Sequence, residues 1–417
     1  MKEEMMSENR RVVVTGMGAV TPLGNHRDST WESLKQGKNG IAPITLFDTG
    51  NCKAKLGAEV KGFDPGEYLD VNDTLRTDRY TQFAVAAAQQ AVEESGVEGT
   101  VKPERFAVLF GTGIGGIGTF EREHTKLMEK GPRRVSPLFV PMMIANMAAG
   151  MIAIRHDCRG SAMPAVTACA SGSNAIGEAL RLIRHGYADA VITGGAEAAI
   201  TLSAVAGFVN MQALSTAENP DEASLPFDKR RGGFVMGEGA VALILEEYER
   251  AKARGAKIYG EVCGYGSTCD ACHITAPHSQ ARGGAQAMAD AMREAEYSKK
   301  DLVYVNAHGT GTPMNDVVET IAIKKALGEE NARKAYVSST KSMTGHMLGA
   351  AGAVEALACL YALKEGIIPP TINLKEQDEA CDLNCVPGLA TKADITLALS
   401  NSLGFGGHNA CLAFRKV

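Results

Sequence analysis

The sequence predicts an α/β protein built from two related halves. Short apolar runs typical of buried strands alternate with amphipathic helical segments along the chain, and this alternation predicts mainly parallel sheets. Each half also sends a loop of small residues into an apolar helix, the first beginning at Ala170 and the second following His346. We therefore predict a polar tail at 1–10, an N-terminal half at 11–256 and a C-terminal half at 257–417.

The first half begins with a buried strand at 11–15, and a helix follows at 29–34. The segment 78–94 is rich in alanine and has helical periodicity, and Gly96 closes it because glycine readily adopts the left-handed conformation that ends a helix. The other predicted elements are a loop-rich region at 47–75, strands at 105–110, 190–193 and 241–245, a helical stretch at 202–214 and a charged helix at 246–254.

The second half repeats this alternation of strands and helices. Glycine-bearing polar loops follow two of its strands, at the sheet edge where α/β proteins place reactive groups. The predicted strands lie at 257–264, 302–305, 335–338, 395–399 and 410–414, and the predicted helices at 284–296, 316–327 and 349–364.

Composition narrows the classes of function. The chain has 417 residues, of which 45% are hydrophobic, and this is enough to bury a large core. A formal net charge of −5 argues against general nucleic-acid binding, although a local basic patch could receive an acidic partner. Ten cysteines without a secretory signal indicate a reducing cytoplasm rather than a disulfide framework.

One uncharged segment, 135–154, approaches the length of a membrane span, which needs about 20 apolar residues. Pro137, Pro141 and Asn146 interrupt this segment. We therefore expect a buried helix or a subunit interface here, and no insertion into a membrane.

The most informative stretch is 166–173, where an apolar run reaches Cys169 among small residues. A helix patterned over 174–185 follows, so the thiol lies near a helix N-terminus, whose unpaired N–H groups and dipole favour the thiolate. The small neighbours would let a substrate carbonyl approach closely. Cys169 is therefore a candidate nucleophile, and the alternative is a buried structural cysteine.

The segment 111–116 matches the G-x-G-x-x-G pattern of dinucleotide-binding proteins, after a strand and before a possible helix. It lacks a clear second strand that ends in an acidic residue about 20 residues further on. We therefore favour a structural interpretation, in which the glycines let the backbone pass close to another element or a ligand. A nicotinamide or flavin site is the alternative.

Two histidines, His308 and His346, lie in glycine-rich loops just past predicted strands, and Lys341 precedes His346 by five residues. With Cys169 they would supply a nucleophile and two donors of hydrogen bonds to a developing enolate or oxyanion. Lys341 could add positive charge or orient its neighbours, and Glu355 in the following helix is its expected carboxylate partner. The alternatives are structural histidines and a solvated lysine.

A possible metal motif occurs in the second half. Cys269, Cys272 and His273, with Cys263 upstream, resemble part of a zinc site. Four ligands within eleven residues would be unusually tight, and a second spaced pair of ligands is missing. We therefore predict no metal site.

Four sequence blocks carry a resemblance to a known family. They are Val166-Thr-Ala-Cys169-Ala-Ser-Gly172, Asn306-Ala-His308-Gly-Thr-Gly-Thr312, Ser338-Ser-Thr-Lys341-Ser-Met-Thr-Gly-His346 and Asn401-Ser-Leu-Gly-Phe405-Gly-Gly407. The chain resembles the β-ketoacyl-[acyl-carrier-protein] synthases of the thiolase superfamily, specifically the type II elongating enzymes of bacterial fatty-acid synthesis, from Arg11 to the C-terminus. This resemblance implies a thiolase-like fold with a layered α-β-α-β-α core.

The resemblance also implies a mechanism. Cys169 accepts the growing acyl chain from acyl carrier protein as a thioester, and malonyl-carrier protein then enters and loses carbon dioxide. The resulting enolate attacks the thioester and lengthens the chain by two carbons. His308 and His346 serve as neutral donors or acid–base groups, and the backbone N–H groups of Cys169 and Phe405 form the oxyanion hole.

Further positions take family roles by the same resemblance. Lys341 maintains the electrostatics of the site together with Glu355, and the ring of Phe405 matches the gate over the nucleophile. Thr310 and Thr312 match the threonines that bind the phosphopantetheine arm, Ile114 and Phe208 match positions that line the acyl pocket, and Leu403 stands beside the gate.

The implied partners are acyl carrier protein, loaded with acyl or malonyl groups, and a second copy of the chain. The segment 135–154 is a candidate for the homodimer interface, because a monomer would struggle to cover it. The resemblance implies no cofactor.

Four features depart from the family pattern. Leu403 replaces the usual phenylalanine two residues before the gate, which could loosen selection of acyl length or change the kinetics of the loop. Gly311 replaces the usual serine between the two threonines, and Gln212 replaces an expected arginine. The expected basic cluster near 72–76 is thin, so carrier-protein docking could use Lys126, Lys130, Arg133 or Arg134 instead.

Other functions remain as alternatives. A polyketide or specialised-lipid condensing enzyme would share the same motifs. A silent chain-length partner subunit is a non-enzymatic alternative, but that class is expected to lack the nucleophile, and Cys169 is present. A nicotinamide oxidoreductase would use the glycines of 111–116.

Overall fold

The structure is a computed structural model that describes residues 10–417, so the predicted tail lies outside the described residues except for Arg10. Ten strands form one sheet. In chain order they are β1 (Val12–Val20), β2 (Phe106–Gly111), β3 (Ala162–Ala165), β4 (Ala190–Glu197), β5 (Gly239–Glu247), β6 (Gly260–Cys269), β7 (Val303–Asn306), β8 (Tyr336–Ser338), β9 (Leu397–Gly404) and β10 (His408–Arg415).

The two halves of this sheet have the same topology. The strand order is β8-β7-β9-β10-β6-β1-β5-β4-β2-β3, so β1 to β5 occupy the same relative positions in the first half as β6 to β10 in the second. The halves meet where β1 pairs with β6 through Val13 and Val14. The matching order supports the two related halves inferred from the sequence.

The predicted strand direction was wrong. Four neighbouring pairs are parallel and five are antiparallel, so the sheet is mixed rather than mainly parallel. The reason lies in the last strand of each half, because β5 and β10 insert antiparallel to both of their neighbours. Apolar runs report burial of a strand on both faces, and they do not report its direction.

Fourteen α-helices surround the described strands. They are α1 (Arg27–Lys35), α2 (Val71–Leu75), α3 (Arg79–Ser95), α4 (Ile117–Lys130), α5 (Phe139–Met143), α6 (Met147–Arg155), α7 (Ser171–Arg184), α8 (Leu202–Asn210), α9 (Tyr248–Ala253), α10 (Arg282–Glu294), α11 (Pro313–Leu327), α12 (Glu329–Lys334), α13 (Lys341–Thr344) and α14 (Ala351–Glu365). The 3-10 segments that bear on the site are Ala168–Ala170, Leu348–Ala350 and Phe405–Gly407.

The helices and strands form layers. The central helices α7 and α14 share the largest apolar core with strands of both halves. Helices α3 and α6 cover the outer face of the first half, and α10 and α11 cover that of the second. In β5, Val241 and Leu243 face the central helices, whereas Ala242 and Ile244 face α3, as the two-residue period of a strand requires. The two halves of the ten-stranded sheet are the two β layers, and α7 and α14 lie between them, so the result is the layered α-β-α-β-α core.

Most helix ends follow local signals in the sequence. The side chain of Asp78 accepts a hydrogen bond from Tyr80 N at the start of α3, and Gly96 ends that helix at φ 59°. The helical stretch predicted at 202–214 ends earlier, at Asn210, since Gln212 has a positive φ. The strand predicted from residue 257 begins at Gly260.

The apolar segment 135–154 is divided between two short helices, α5 and α6. None of the helices in residues 10–417 has both the length and the apolar character that crossing a bilayer requires.

Candidate active site

The nucleophile candidate lies on a tight connection between β3 and α7. Ala168 adopts φ 50°, and the Ser171 hydroxyl fastens the turn by accepting from Thr167 N at 2.9 Å and donating to Ala168 O at 2.7 Å. A Cβ on Gly172 would lie 2.9 Å from Gly349 O, so only glycine allows α7 to start against α14. The connection presents the Cys169 side chain, which is 8% exposed, at the N-terminus of α7.

The expectation that this position favours a thiolate is wrong for the resting protein. Burial raises the pKa of the Cys169 thiol to about 12, although the charge of Lys341 and the backbone N–H of Phe405 act to lower it. A shift of three pKa units corresponds to about 4 kcal/mol, whereas a helix N-terminus supplies at most about 2 kcal/mol. Burial therefore outweighs the helix dipole, and the thiol needs a base.

Two neutral imidazoles lie beside the thiol. Burial lowers the pKa of His308 and His346 well below the usual value, and the charge of Lys341 lowers both further. The rings stand nearly perpendicular with centroids 5.2 Å apart, and the sulfur of Cys169 and one nitrogen of each ring all lie within 4.8 Å of one another. A neutral imidazole can accept a proton or donate one, so the cluster can carry out acid–base chemistry on the thiol.

The backbone around each histidine is fixed by hydrogen bonds. Glu319, buried on α11, accepts from the backbone N–H groups of His308 and Gly309 at 2.7 Å each. His346 is anchored differently, because its N–H donates to Val235 O at 2.7 Å and its carbonyl accepts from Gly237 N at 2.8 Å. The sequence did not single out Glu319, although its place within a predicted helix directly after the His308 loop was a usable signal.

Lys341 and Glu355 form a buried ion pair behind the histidines. Both side chains are almost completely inaccessible, and Nζ of Lys341 contacts Oε1 of Glu355. Burial raises the pKa of Glu355 to about 7, and Lys341 opposes this rise. The lysine is therefore not the solvated loop residue of the alternative interpretation.

The remaining sequence-predicted residues share a single cavity of about 540 Å³ with the reactive cluster. Phe405 faces Phe208, with ring centroids 6.3 Å apart, and the hydroxyls of Thr310 and Thr312 lie 2.9 Å apart. The predicted positions that line the cavity are Ile114, Cys169, Phe208, His308, Thr310, Thr312, His346, Leu403 and Phe405, whereas Lys341 and Glu355 lie behind its wall.

The glycine motif at 111–116 does not fit a dinucleotide. The carboxylate of Glu197, at the end of β4, accepts from the backbone N–H groups of Gly113 and Ile114 at 2.7 and 3.2 Å. These N–H groups are therefore engaged and cannot cradle a pyrophosphate. The structural interpretation is the better one, and Glu197 is a second buried carboxylate that the sequence did not single out.

Only one group of side chains in residues 10–417 has the geometry of a possible metal site, and it is the cluster of Cys169, His308 and His346. Cys269 and Cys272 are exposed and belong to no such group. The three donor atoms of this cluster lie within 4.8 Å of one another, a spacing that also suits hydrogen bonding between a thiol and neighbouring imidazoles.

The chain is similar to proteins of known type over its full length. Two family models match it, "Beta-ketoacyl synthase, N-terminal domain" at residues 9–251 and "Beta-ketoacyl synthase, C-terminal domain" at residues 259–375. Curated relatives named 3-oxoacyl-[acyl-carrier-protein] synthase 2 include one from Synechocystis sp. (strain ATCC 27184 / PCC 6803 / Kazusa), 53% identical over 98% of this chain and 99% of the relative. Another, from Staphylococcus aureus (strain COL), is 50% identical over 99% of each chain.

Solved structures share the whole fold. A beta-ketoacyl synthase from Burkholderia phymatum STM815 has a TM-score of 0.91 and 37% identity, covering 98% of this chain and 100% of that chain. A type II polyketide ketosynthase, solved with its acyl-carrier protein and bound to a hexaketide, also has a TM-score of 0.91, with 32% identity over the same coverage.

Proposed function

We propose a function for this chain from its family: it belongs to the beta-ketoacyl synthases, because two models of that family match most of its length. It is an elongating condensing enzyme of the 3-oxoacyl-[acyl-carrier-protein] synthase 2 type, which acts in fatty-acid synthesis. The observation that carries the proposal is the cluster of Cys169, His308 and His346, whose reactive atoms lie within 4.8 Å of one another in the shared cavity.

Acylation is the first step of the proposed mechanism. The resting thiol is protonated, so an adjacent neutral imidazole takes its proton as the sulfur attacks the carbonyl carbon of the incoming acyl thioester. The backbone N–H groups of Cys169 and Phe405 hold the oxygen of the tetrahedral intermediate. The bond to the pantetheine sulfur then breaks, and that sulfur leaves with the proton from the imidazolium.

Condensation follows on the acyl-enzyme. Malonyl-carrier protein loses carbon dioxide, and His308 and His346 donate hydrogen bonds to the oxygen of the resulting enolate. The lowered pKa of both histidines keeps them neutral, so they stabilise the enolate without protonating its carbon outright. The enolate carbon attacks the acyl carbonyl, the bond to the Cys169 sulfur breaks, and the released thiolate takes up one proton from solvent.

The shared cavity supports the substrate roles that we propose. Ile114 and Phe208 line it and are assigned to the acyl chain, and Thr310 and Thr312 line it and are assigned to the pantetheine arm. Leu403 lies beside the Phe405 gate and packs toward α10, because a Cβ on Gly284 would lie 3.2 Å from its Cδ2.

Acyl carrier protein is the proposed partner. One structural relative was solved with its acyl-carrier protein, and the curated relatives carry this partner in their names. Arg133 and Arg134 follow α4, are exposed and form no ion pair in the described part of the chain, so their charges are available to an acidic partner. Lys126 is less suitable, since it contacts Glu123 at 2.6 Å.

We also propose a homodimer in a reducing cytoplasm. Strand β3 is one of the two edge strands of the sheet and is exposed. Four apolar side chains in β3 or in the segments before and after it are at least 48% exposed, namely Val140, Ile154, Met163 and Val166. An uncovered edge of this kind with apolar neighbours is typical of a subunit interface. All ten cysteines are free thiols, as expected for a reducing compartment. The division into halves at 256/257 is likewise proposed.

A polyketide condensing enzyme is the second candidate. Structural relatives of the same fold include a polyketide ketosynthase, and Gly311 departs from the fatty-acid pattern. The higher identity to the fatty-acid relatives favours the first candidate.

The test offers acyl-carrier proteins of graded chain length together with malonyl-carrier protein. We expect saturated acyl donors to be extended by two carbons, and Cys169→Ala to abolish extension. Cys52→Ala is the matched control, because this cysteine lies outside the cavity and should leave the rate unchanged. Failure of the wild-type protein to extend any saturated acyl donor would contradict the proposed function.

A further inference from the structure

Glu197 is a buried carboxylate with no assigned role in the reaction. It ends β4, is completely inaccessible, and accepts four hydrogen bonds. Its Oε2 accepts from Gly113 N at 2.7 Å and Gly349 N at 2.9 Å, and its Oε1 accepts from Thr112 Oγ1 at 3.1 Å and Ile114 N at 3.2 Å. Every one of these partners is uncharged.

Such a group is expensive to bury without a cation. Of the other fully buried glutamates, Glu238, Glu246 and Glu355 each contact an arginine or lysine, whereas Glu319, like Glu197, is bound by uncharged donors. Burial raises the pKa of Glu197 to about 7 although its backbone partners act to lower it. A carboxylate held at this cost by three backbone N–H groups and one hydroxyl, without a cation, indicates that the positions of those donors matter.

The four donors belong to two different parts of the active-site cavity. Gly113 and Ile114 form the acyl wall, on the loop after β2. Gly349 belongs to the turn that follows His346, in the other half of the chain, and its neighbour Leu348 lines the cavity. The two segments touch directly, because a Cβ on Gly349 would collide with the backbone of Thr112 and Gly113.

We propose that Glu197 is a positioning residue that fixes the Ile114 wall of the acyl pocket against the turn following His346. The inference rests on the proposed function of the cavity. Because one carboxylate binds both segments, the position of the Ile114 wall is fixed relative to the turn that follows His346. A long acyl chain that reaches Ile114 therefore contacts a wall that the same carboxylate holds against this turn.

The pseudo-symmetry of the fold supports this role. In the second half, Glu319 accepts from His308 N and Gly309 N, on the loop after β7, which corresponds to β2. In each half a buried carboxylate therefore binds two consecutive N–H groups just past the equivalent strand. The second-half carboxylate holds a catalytic histidine, and the first-half carboxylate holds the acyl wall.

Glu197→Gln tests the proposal, because it keeps the shape but replaces one acceptor oxygen by an N–H donor that faces Ile114 N or Gly113 N. Acylation of Cys169 by short and long acyl-carrier proteins is followed by intact mass, which needs no condensation step. We expect kcat/KM to fall roughly tenfold more for long than for short donors, the order expected for one buried donor left unpaired. We expect KM for malonyl-carrier protein to stay unchanged in the elongation assay.

Thr112→Val provides a second variant, because it removes the hydroxyl bond to Oε1 but leaves the three backbone N–H bonds to Glu197 in place. It also removes the hydrogen bond that Gly115 N donates to the Thr112 hydroxyl. It should show the same length dependence with a smaller loss. The control is Glu246→Gln, at the other end of the neighbouring strand, which should reduce stability without altering the ratio of long to short donors.

If Glu197→Gln lowered kcat/KM for acylation equally at every donor length, or not at all, the proposed role of Glu197 would be overturned. Failure of the wild-type protein to elongate any acyl donor would instead overturn the proposed function. The two failures are distinguishable because acylation and elongation are measured separately.

Discussion

Replacing Lys341 by methionine removes one partner of the ion pair with Glu355 and leaves a carboxylate buried without its cation. Both side chains are essentially inaccessible, so the pair is not screened by solvent. Breaking a buried pair from one side costs about 3–5 kcal/mol, because the remaining charge is uncompensated. With an unfolding entropy of about 2.1 cal/mol/K per residue, this loss lowers Tm by roughly 3–6 °C for a chain of 417 residues.

The loss should depend on pH in a defined direction. The pKa of Glu355 in the folded protein, about 7, lies above its ordinary value near 4.5. A carboxyl group of this kind stabilises the fold while it is protonated, and that contribution is lost as the pH rises through the folded pKa. Without Lys341 the folded pKa rises further, so Lys341→Met should cost little near pH 5 and most near pH 8. Denaturant unfolding at both pH values measures the difference.

The double variant Lys341→Met/Glu355→Leu separates stability from catalysis. Removing both charges leaves no unpaired charge in the core, so the double variant should regain most of the stability that Lys341→Met loses. The acylation rate should stay low, because the positive charge of Lys341 also lowers the pKa of the Cys169 thiol. A stability loss below about 1 kcal/mol, the same at both pH values, would refute this reasoning. So would a double variant no more stable than the single one.

Three further predictions concern the base, the partner and the gate. The acylation rate should be maintained as the pH falls through 6.5, the ordinary pKa of histidine, and should decrease only well below that pH. The reason is that burial lowers the pKa of His308 and His346 and keeps both rings neutral. A pH–rate profile with its midpoint at 6.5 would contradict this prediction. Charge reversal of Arg133 and Arg134 should raise KM for the carrier protein severalfold and leave kcat unchanged. Lys299→Glu/Lys300→Glu, just before β7 in the second half of the chain, is the matched control, and an equal effect in both would contradict the proposed docking site. Leu403→Phe should shift the preference between long and short acyl donors by roughly tenfold, because it adds bulk between Phe405 and α10. An unaltered dependence of the rate on acyl length would show that residue 403 does not select acyl length.

The positions of the reactive residues were well predictable from the sequence. Cys169, His308 and His346 each follow a strand, and strands that end at one edge of a sheet bring their loops together. Local signals were sufficient for this, since a strand, a glycine-bearing turn and a helix start are all visible in the residue pattern. The ends of α3, set by Asp78 and Gly96, were predictable for the same reason.

Properties that depend on packing between distant segments were not predictable. The ionisation of Cys169 was assigned incorrectly, because the helix N-terminus is visible in the sequence and the burial that outweighs it is not. The direction of β5 and β10 depends on which strands they join, so apolar runs could not supply it. Glu197 was missed because its partners are backbone N–H groups far away in sequence, which no residue pattern records. Glu319 was missed although its backbone partners lie only 10 and 11 residues before it, because the pattern does not show that its side chain turns back to the His308 loop.

The central claim is that Cys169 carries the acyl chain and that the enolate of malonyl-carrier protein removes it. The direct measurement is peptide mass spectrometry after incubation with an acyl-carrier protein, before and after malonyl-carrier protein is added. We expect one acyl group on the peptide that contains Cys169. We also expect this group to be lost on addition of malonyl-carrier protein, with a product longer by two carbons. An acyl group on another residue, or a group on Cys169 that malonyl-carrier protein does not discharge, would contradict it.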